Sequence, residues 1–99
     1  MRISRQFTKF TFSIVKDLFE QVIVSNNVLM TMETFRDTLK YLDDDYPKEE
    51  DGTAQSYTKL GNKQFMAHIE FLVAFAAEYG ITLTFAEREW DRLLDEMRN

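Results

Sequence analysis

The chain has 99 residues, of which 44% are apolar and 29% are charged, and this size and composition are typical of one globular domain. The absence of cysteine excludes disulfides, zinc thiolate sites, iron–sulfur clusters and thiol nucleophiles. The formal net charge of −5 is concentrated in residues 43–51, which hold six of the 17 acids and one of the 12 bases, so the rest of the chain is neutral.

A first helix is predicted to end at Asn26-Asn27, because asparagine tolerates the left-handed conformation that ends many helices. In its clearest part, residues 13–24, apolar side chains form two adjacent ridges of four-residue spacing. The ridges are Ile14, Leu18 and Val22, and Val15, Phe19 and Ile23. This pattern predicts an amphipathic helix with a wide apolar face.

Residues 1–12 allow two interpretations. The spacing of Phe7 and Phe10 continues the helical pattern back to about Ser4. Alternatively, the alternation of polar and aromatic residues over 8–12 would suit a short strand. The helix is favoured, because a single strand would have no partner here.

Three further helices are indicated by their end signals. The second is predicted over 31–42, with Thr31 capping its first turn. The third is predicted over 62–79 and ends at Gly80, which adopts the left-handed conformation at little cost. The fourth is predicted to begin with the capping box of residues 84–87.

Residues 65–77 contain two polar side chains, His68 and Glu70, among thirteen positions. A helix that is apolar on nearly every side must be enclosed by other protein, so the third helix is expected to be central. We therefore predict an all-α fold, a small four-helix bundle that forms one domain over residues 1–99. An acidic loop of about residues 43–60 connects the second and third helices.

His68 is the only histidine, which excludes a multi-histidine metal site within one chain. The fragment His68-Ile69-Glu70 matches the first half of the zinc deaminase signature, but the second half requires two cysteines. Helical spacing places His68 beside the apolar face, so we interpret it as a structural histidine; the alternative is a general base acting with Glu70. We predict no catalytic residue, cofactor or metal site, and a protein that is not an enzyme.

The acidic loop does not fit the calcium-binding template of an EF-hand. Counted from Asp43, Pro47 takes the third ligand position and Lys48 takes the position that requires glycine. The loop is then either a solvated charged segment or a surface that binds a partner, and its tyrosines favour the second option. The predicted partner-binding residues are Asp43, Asp44, Asp45, Tyr46, Glu49, Glu50, Asp51 and Tyr57.

The first helix carries more apolar residues than one packed face requires. Phe7, Phe10 and Phe12 extend its two ridges towards the N-terminus. Either a four-helix bundle uses this wide face internally, or the three phenylalanines form an oligomer face that is buried against a second copy of the chain.

Together these features predict a non-enzymatic protein–protein interaction module, such as a small inhibitor, immunity or regulatory protein, whose acidic loop faces a partner with a basic surface. The alternative is a homo-oligomeric structural or assembly subunit. A nucleic-acid binder using Arg2, Arg5 and Lys9, or an acidic decoy that imitates DNA, is a further alternative. The isoelectric point of about 4.8 argues against direct binding to nucleic acid.

The sequence predicts no membrane association. The apolar run near the N-terminus is shorter than that of a secretory signal, and the longest apolar run is shorter than a membrane-spanning helix. We therefore expect a cytoplasmic protein.

Overall fold

The computed structural model describes residues 2–84, together with 89, 91, 92 and 95, with side chains from Phe7 onward. Residues 2–84 form three α-helices and no strand. Helix α1 spans Arg2–Leu18, α2 spans Met32–Leu42 and α3 spans Asn62–Glu78. A π-helical turn, Phe19–Val24, continues α1, and a single 3₁₀ turn, Tyr57–Lys59, precedes α3.

The prediction of a four-helix bundle is wrong, because residues 2–84 hold three α-helices. The fourth predicted helix falls on residues 84–97, most of which lie outside the described residues. Part of the cover that α3 needs comes from the acidic loop rather than from a helix. The loop residues Tyr46, Tyr57 and Leu60 are buried in the same core cluster as α3.

The start of the chain is helical, which decides between the two interpretations of residues 1–12 in favour of the helix. At its other end the helix widens, since the N–H groups of Ser25 and Val28 reach back five residues to carbonyl groups, at 3.1 and 3.0 Å. It ends where Asn27 takes the left-handed conformation, with φ of 57°. The predicted stop at Asn26-Asn27 is confirmed.

The end signals of α2 and α3 are also confirmed. The Thr31 hydroxyl oxygen accepts a hydrogen bond from the Thr34 N–H at 3.1 Å, which satisfies a donor in the first turn of α2. Gly80 follows α3 with φ of 67°, and the Ile81 N–H then donates to the Ala76 carbonyl at 2.8 Å. This is the hydrogen-bond pattern of a helix that ends at a left-handed glycine.

Helices α1 and α3 are the main packing pair and run parallel. Phe7, early in α1, contacts Phe65, early in α3, with ring centroids 5.8 Å apart. Beyond the other ends, the Gln21 amide donates to the Thr82 carbonyl at 2.8 Å and accepts from its N–H at 3.1 Å. Two parallel helices require a long connection, so α2 and the acidic loop carry the chain back to the start of the pair.

Only one side of α3 is buried. Phe65, Ile69 and Leu72 are almost fully enclosed, whereas Ala67 and Ala74 are exposed. The expectation that this helix is covered on nearly every side is therefore wrong. The sequence is misleading here because alanine, though counted as apolar, is small and is stable on an exposed helix surface as the best helix former.

Thr11 places a polar group in the apolar core. Its hydroxyl is fully buried in α1 and has no hydrogen-bond partner among the described residues. We expect Thr11→Val to raise the free energy of unfolding by about 1 kcal/mol, because it removes a buried polar group without changing the side chain's shape. Thr11→Ser, which keeps the hydroxyl and deletes the methyl group, should lower it by about 1 kcal/mol. Urea denaturation of both variants measures these changes, and a less stable Thr11→Val would contradict the assignment.

Candidate functional site

The centre of the acidic loop is an ordered hairpin rather than a solvated coil. We call residues 47–55 the acidic hairpin. Its arms are joined by the Glu49 N–H to the Thr53 carbonyl at 2.7 Å and by the Gln55 N–H to the Pro47 carbonyl at 3.0 Å. Gly52 closes the turn with φ of 89°, a conformation that suits glycine and is common in three-residue hairpin connections.

The tip of the acidic hairpin is fixed by its own side chains. One carboxylate oxygen of Asp51 accepts from the Thr53 N–H at 3.0 Å and from the Thr53 hydroxyl at 2.7 Å. These hydrogen bonds lower the pKa of Asp51, although the side chain is fully exposed. The negative charge at the tip is therefore held in one position by the backbone turn.

Beneath the hairpin, His68 contacts both ends of the loop. Its Nδ1 lies 2.8 Å from an Asp43 carboxylate oxygen, and its Nε2 lies 3.3 Å from the Tyr57 hydroxyl. The His68 side chain is 1% exposed and that of Asp43 is 9% exposed. Burial lowers the pKa of His68; the Asp43 carboxylate opposes this shift, and the charge of Lys40 adds to it.

Lys40 is a further buried ionisable group of this cluster. Its amine donates to the Gln55 carbonyl at 3.3 Å and lies 4.2 Å from the centre of the Tyr57 ring. Asp37, one turn earlier on α2, is 3.9 Å away. Burial is the main cause of the lowered pKa of Lys40. The Gln55 carbonyl also accepts from the Tyr46 hydroxyl at 2.7 Å, so α2, the loop and the hairpin arm meet at one acceptor.

The structure divides the predicted partner-binding residues into two groups. Asp43, Tyr46 and Tyr57 are buried, so their side chains are not on a docking surface. The prediction that these three residues contact a partner is therefore corrected: they are part of the core. Tyrosine is as effective at filling a core as at filling an interface. The other five acids are at or near the surface: Asp44, Asp45, Glu50 and Asp51 are exposed, and Glu49 is half-buried.

A shallow depression lies beside the hairpin tip. Its volume is about 590 Å³, and it is lined by Glu49, Glu50, Asp51, Thr53, Ser56 and Lys59. The Lys59 amine lies 3.2 Å from each carboxylate oxygen of Glu49. The depression therefore has the charge to attract a cationic side chain, and Lys59 already neutralises part of it.

The predicted oligomer face is divided in the same way. Phe7 is fully buried and Phe10 is partly buried, both in contact with the core. Phe12 is 45% exposed, and the Arg36 guanidinium lies 5.4 Å from its ring centre. Phe7 is thus a core residue and not part of an oligomer face. The wide apolar stripe is explained largely by the packing of α1 against α3 and the loop.

Sequence reasoning placed His68 at the core margin, yet found neither of its polar partners. Asp43 is 25 residues away in the chain and Tyr57 is 11 residues away. The composition of the loop could have indicated that it packs on the core, because Tyr46, Tyr57 and Leu60 give it apolar surface to bury.

The described residues include no group of three or more histidine, cysteine, aspartate or glutamate side chains that could hold a metal ion. Over the same part of the chain, no helix has the length and apolarity needed to cross a bilayer. No protein-family model, curated protein or solved structure matches this chain.

Proposed function

We propose that this protein is a cytoplasmic, non-enzymatic protein–protein interaction module that presents the acidic hairpin to a partner with a basic surface. The main supporting observation is that hydrogen bonds hold the hairpin at its base and at its tip, while the carboxylates of Glu50 and Asp51 are exposed. Buried Tyr46 and Asp43 fix its base, and the Asp51–Thr53 hydrogen bonds fix its tip. A rigid group of charges loses little conformational entropy when a partner binds.

The charge distribution supports the same proposal. Residues 43–51 carry a formal charge of −5, which equals the net charge of the whole chain. Concentrated charge of one sign raises the rate at which oppositely charged partners associate, and this effect weakens as salt is added. The one histidine is 1% exposed, so it is not positioned to contact a substrate.

The proposal is tested by neutralising the exposed acids. The loop variant carries Asp44→Asn, Asp45→Asn, Glu50→Gln and Asp51→Asn, and the last of these changes keeps a side-chain oxygen that can accept from Thr53. The partner is first captured with the wild-type protein and identified by mass spectrometry. We then expect the loop variant to associate about tenfold or more slowly at low salt, with an unchanged thermal melt.

The matched control removes as many negative charges elsewhere. It carries Glu20→Gln, Glu33→Gln, Glu70→Gln and Glu78→Gln, all at exposed helix positions. We expect the control to keep most of the wild-type association rate, because its substitutions leave the hairpin unchanged. Equal rates for the two variants would show that the partner responds to net charge alone, and an unchanged rate for the loop variant would refute the proposed contact.

A further inference from the structure

The two ends of the acidic loop are held by one imidazole ring. Nδ1 of His68 contacts Asp43, at the start of the loop, and Nε2 contacts Tyr57, near its end. The Asp43 carboxylate also accepts from the Asp45 N–H at 3.1 Å. The whole acidic hairpin lies between these two contacts, so their loss would weaken its attachment to α3.

The hydrogen-bond roles follow from the chemistry of the groups. A carboxylate only accepts, so Nδ1 must carry a proton and donate it to Asp43. In a neutral ring, Nε2 is then an acceptor and the Tyr57 hydroxyl donates to it. Protonation turns Nε2 into a donor, which reverses this bond and leaves the Tyr57 proton without its acceptor.

We propose that His68 is a pH-sensitive clasp: it holds both ends of the acidic loop on α3 while its imidazole is neutral, and it releases the loop when the imidazole is protonated. This inference concerns the isolated protein and does not rest on the proposed binding function.

The groups that face His68 determine the direction of the effect. Helix α2 contributes the buried amine of Lys40, with Asp37 and Arg36 one turn away. The loop contributes the carboxylate of Asp43 and the hydroxyls of Tyr46 and Tyr57. On α3 itself Phe71 stacks against the ring. α1 reaches the cluster through Phe12, which contacts Tyr57 and has no charge.

In this environment a second positive charge is disfavoured. An imidazolium would lie almost fully buried near Lys40, with one carboxylate, that of Asp43, in contact. Lifting the loop exposes the ring to water and removes this penalty. The closed state is therefore favoured fully above the ordinary pKa of 6.5 and loses stability as the pH falls through 6.5.

Because one proton is involved, the opening equilibrium changes by at most about tenfold per pH unit. Hydrogen exchange followed by NMR measures it between about pH 7.5 and about pH 5 in the wild-type protein. The loop is reported by the N–H groups of Tyr46, Glu49 and Gln55, and the core by those of Leu18 and Leu72. Rates are compared as protection factors, which removes the pH dependence of exchange itself.

We expect protection of the three loop amides to begin to fall near pH 6.5 and to level off below the titration midpoint of the His68 ring resonances, which need no assignment because the chain has one histidine. Protection of the core amides should change much less. His68→Gln, whose amide can donate to Asp43 but does not titrate in this range, should make loop protection independent of pH.

Three results would overturn the clasp: loop protection that does not change with pH, protection that is lost only above pH 6.5 or only below the titration midpoint of the ring, or equal loss of protection in loop and core. All three are read from the wild-type protein, so they remain decisive if His68→Gln does not fold.

Discussion

Leu72→Asp is expected to unfold the protein at room temperature. Leu72 is fully buried on the inward side of α3, between Ile69 and Ala76. Shortening a buried leucine alone costs about 2–5 kcal/mol of the free energy of unfolding. An aspartate here would add a buried charge, whose cost is large unless a cation pairs with it. Total stability for a domain of this size is about 5–15 kcal/mol, so the sum is enough to unfold the chain.

Among the described residues, no buried lysine or arginine is free to pair with this carboxylate. Lys40 is the buried amine in the described part of the chain, and its position is fixed by Gln55 and the Tyr57 ring. We expect the Leu72→Asp variant to lack a cooperative thermal transition in circular dichroism and to lose dispersion in its NMR spectrum. Ala74→Asp, at an exposed position of the same helix, is the matched control and should stay folded. A normal melt for Leu72→Asp would show that this side of α3 is not the core.

The helices were predictable because their signals are local. Thr31 and Gly80 act on backbone groups within a few residues, and the same holds for the left-handed Asn27. The apolar spacing of α1 likewise specifies which side is buried, whatever the helix packs against. Each of these features is determined by residues that are close together in the chain, so it can be predicted from a single sequence.

The acidic loop could not be predicted in the same way. Its six carboxylates between residues 43 and 51 indicate a solvated segment, and this is correct for Asp44 and Asp45. Asp43, their neighbour, is instead buried because a histidine 25 residues later supplies its partner. Nothing local distinguishes Asp43 from the other two. The contribution of the loop to the cover of α3 was missed for a related reason: whether this helix is covered by another helix or by a loop is decided by contacts distant in sequence.

His68→Ala is expected to be the most destabilising change in the polar cluster, by about 3–5 kcal/mol. It leaves the Asp43 carboxylate buried without the imidazole that it contacts at 2.8 Å. It also empties the space between the rings of Tyr46 and Phe71, which lie 4.8 and 6.0 Å from the imidazole centre. Asp43→Asn should cost less, since the amide oxygen can still accept from Nδ1 and no unpartnered charge is left in the core.

The double variant separates these contributions. If the cost of His68→Ala comes mainly from the carboxylate left behind, the same substitution should be cheaper once residue 43 is neutral. We expect the combined loss to be smaller than the sum of the single losses by about 1–3 kcal/mol, measured by urea denaturation of all four proteins above pH 7. Additive losses would mean that the imidazole stabilises the fold by packing alone. In that case the contact between Asp43 and His68 would not hold the acidic loop on α3, because an interaction that stabilises the fold gives a non-zero coupling energy in the double-mutant cycle.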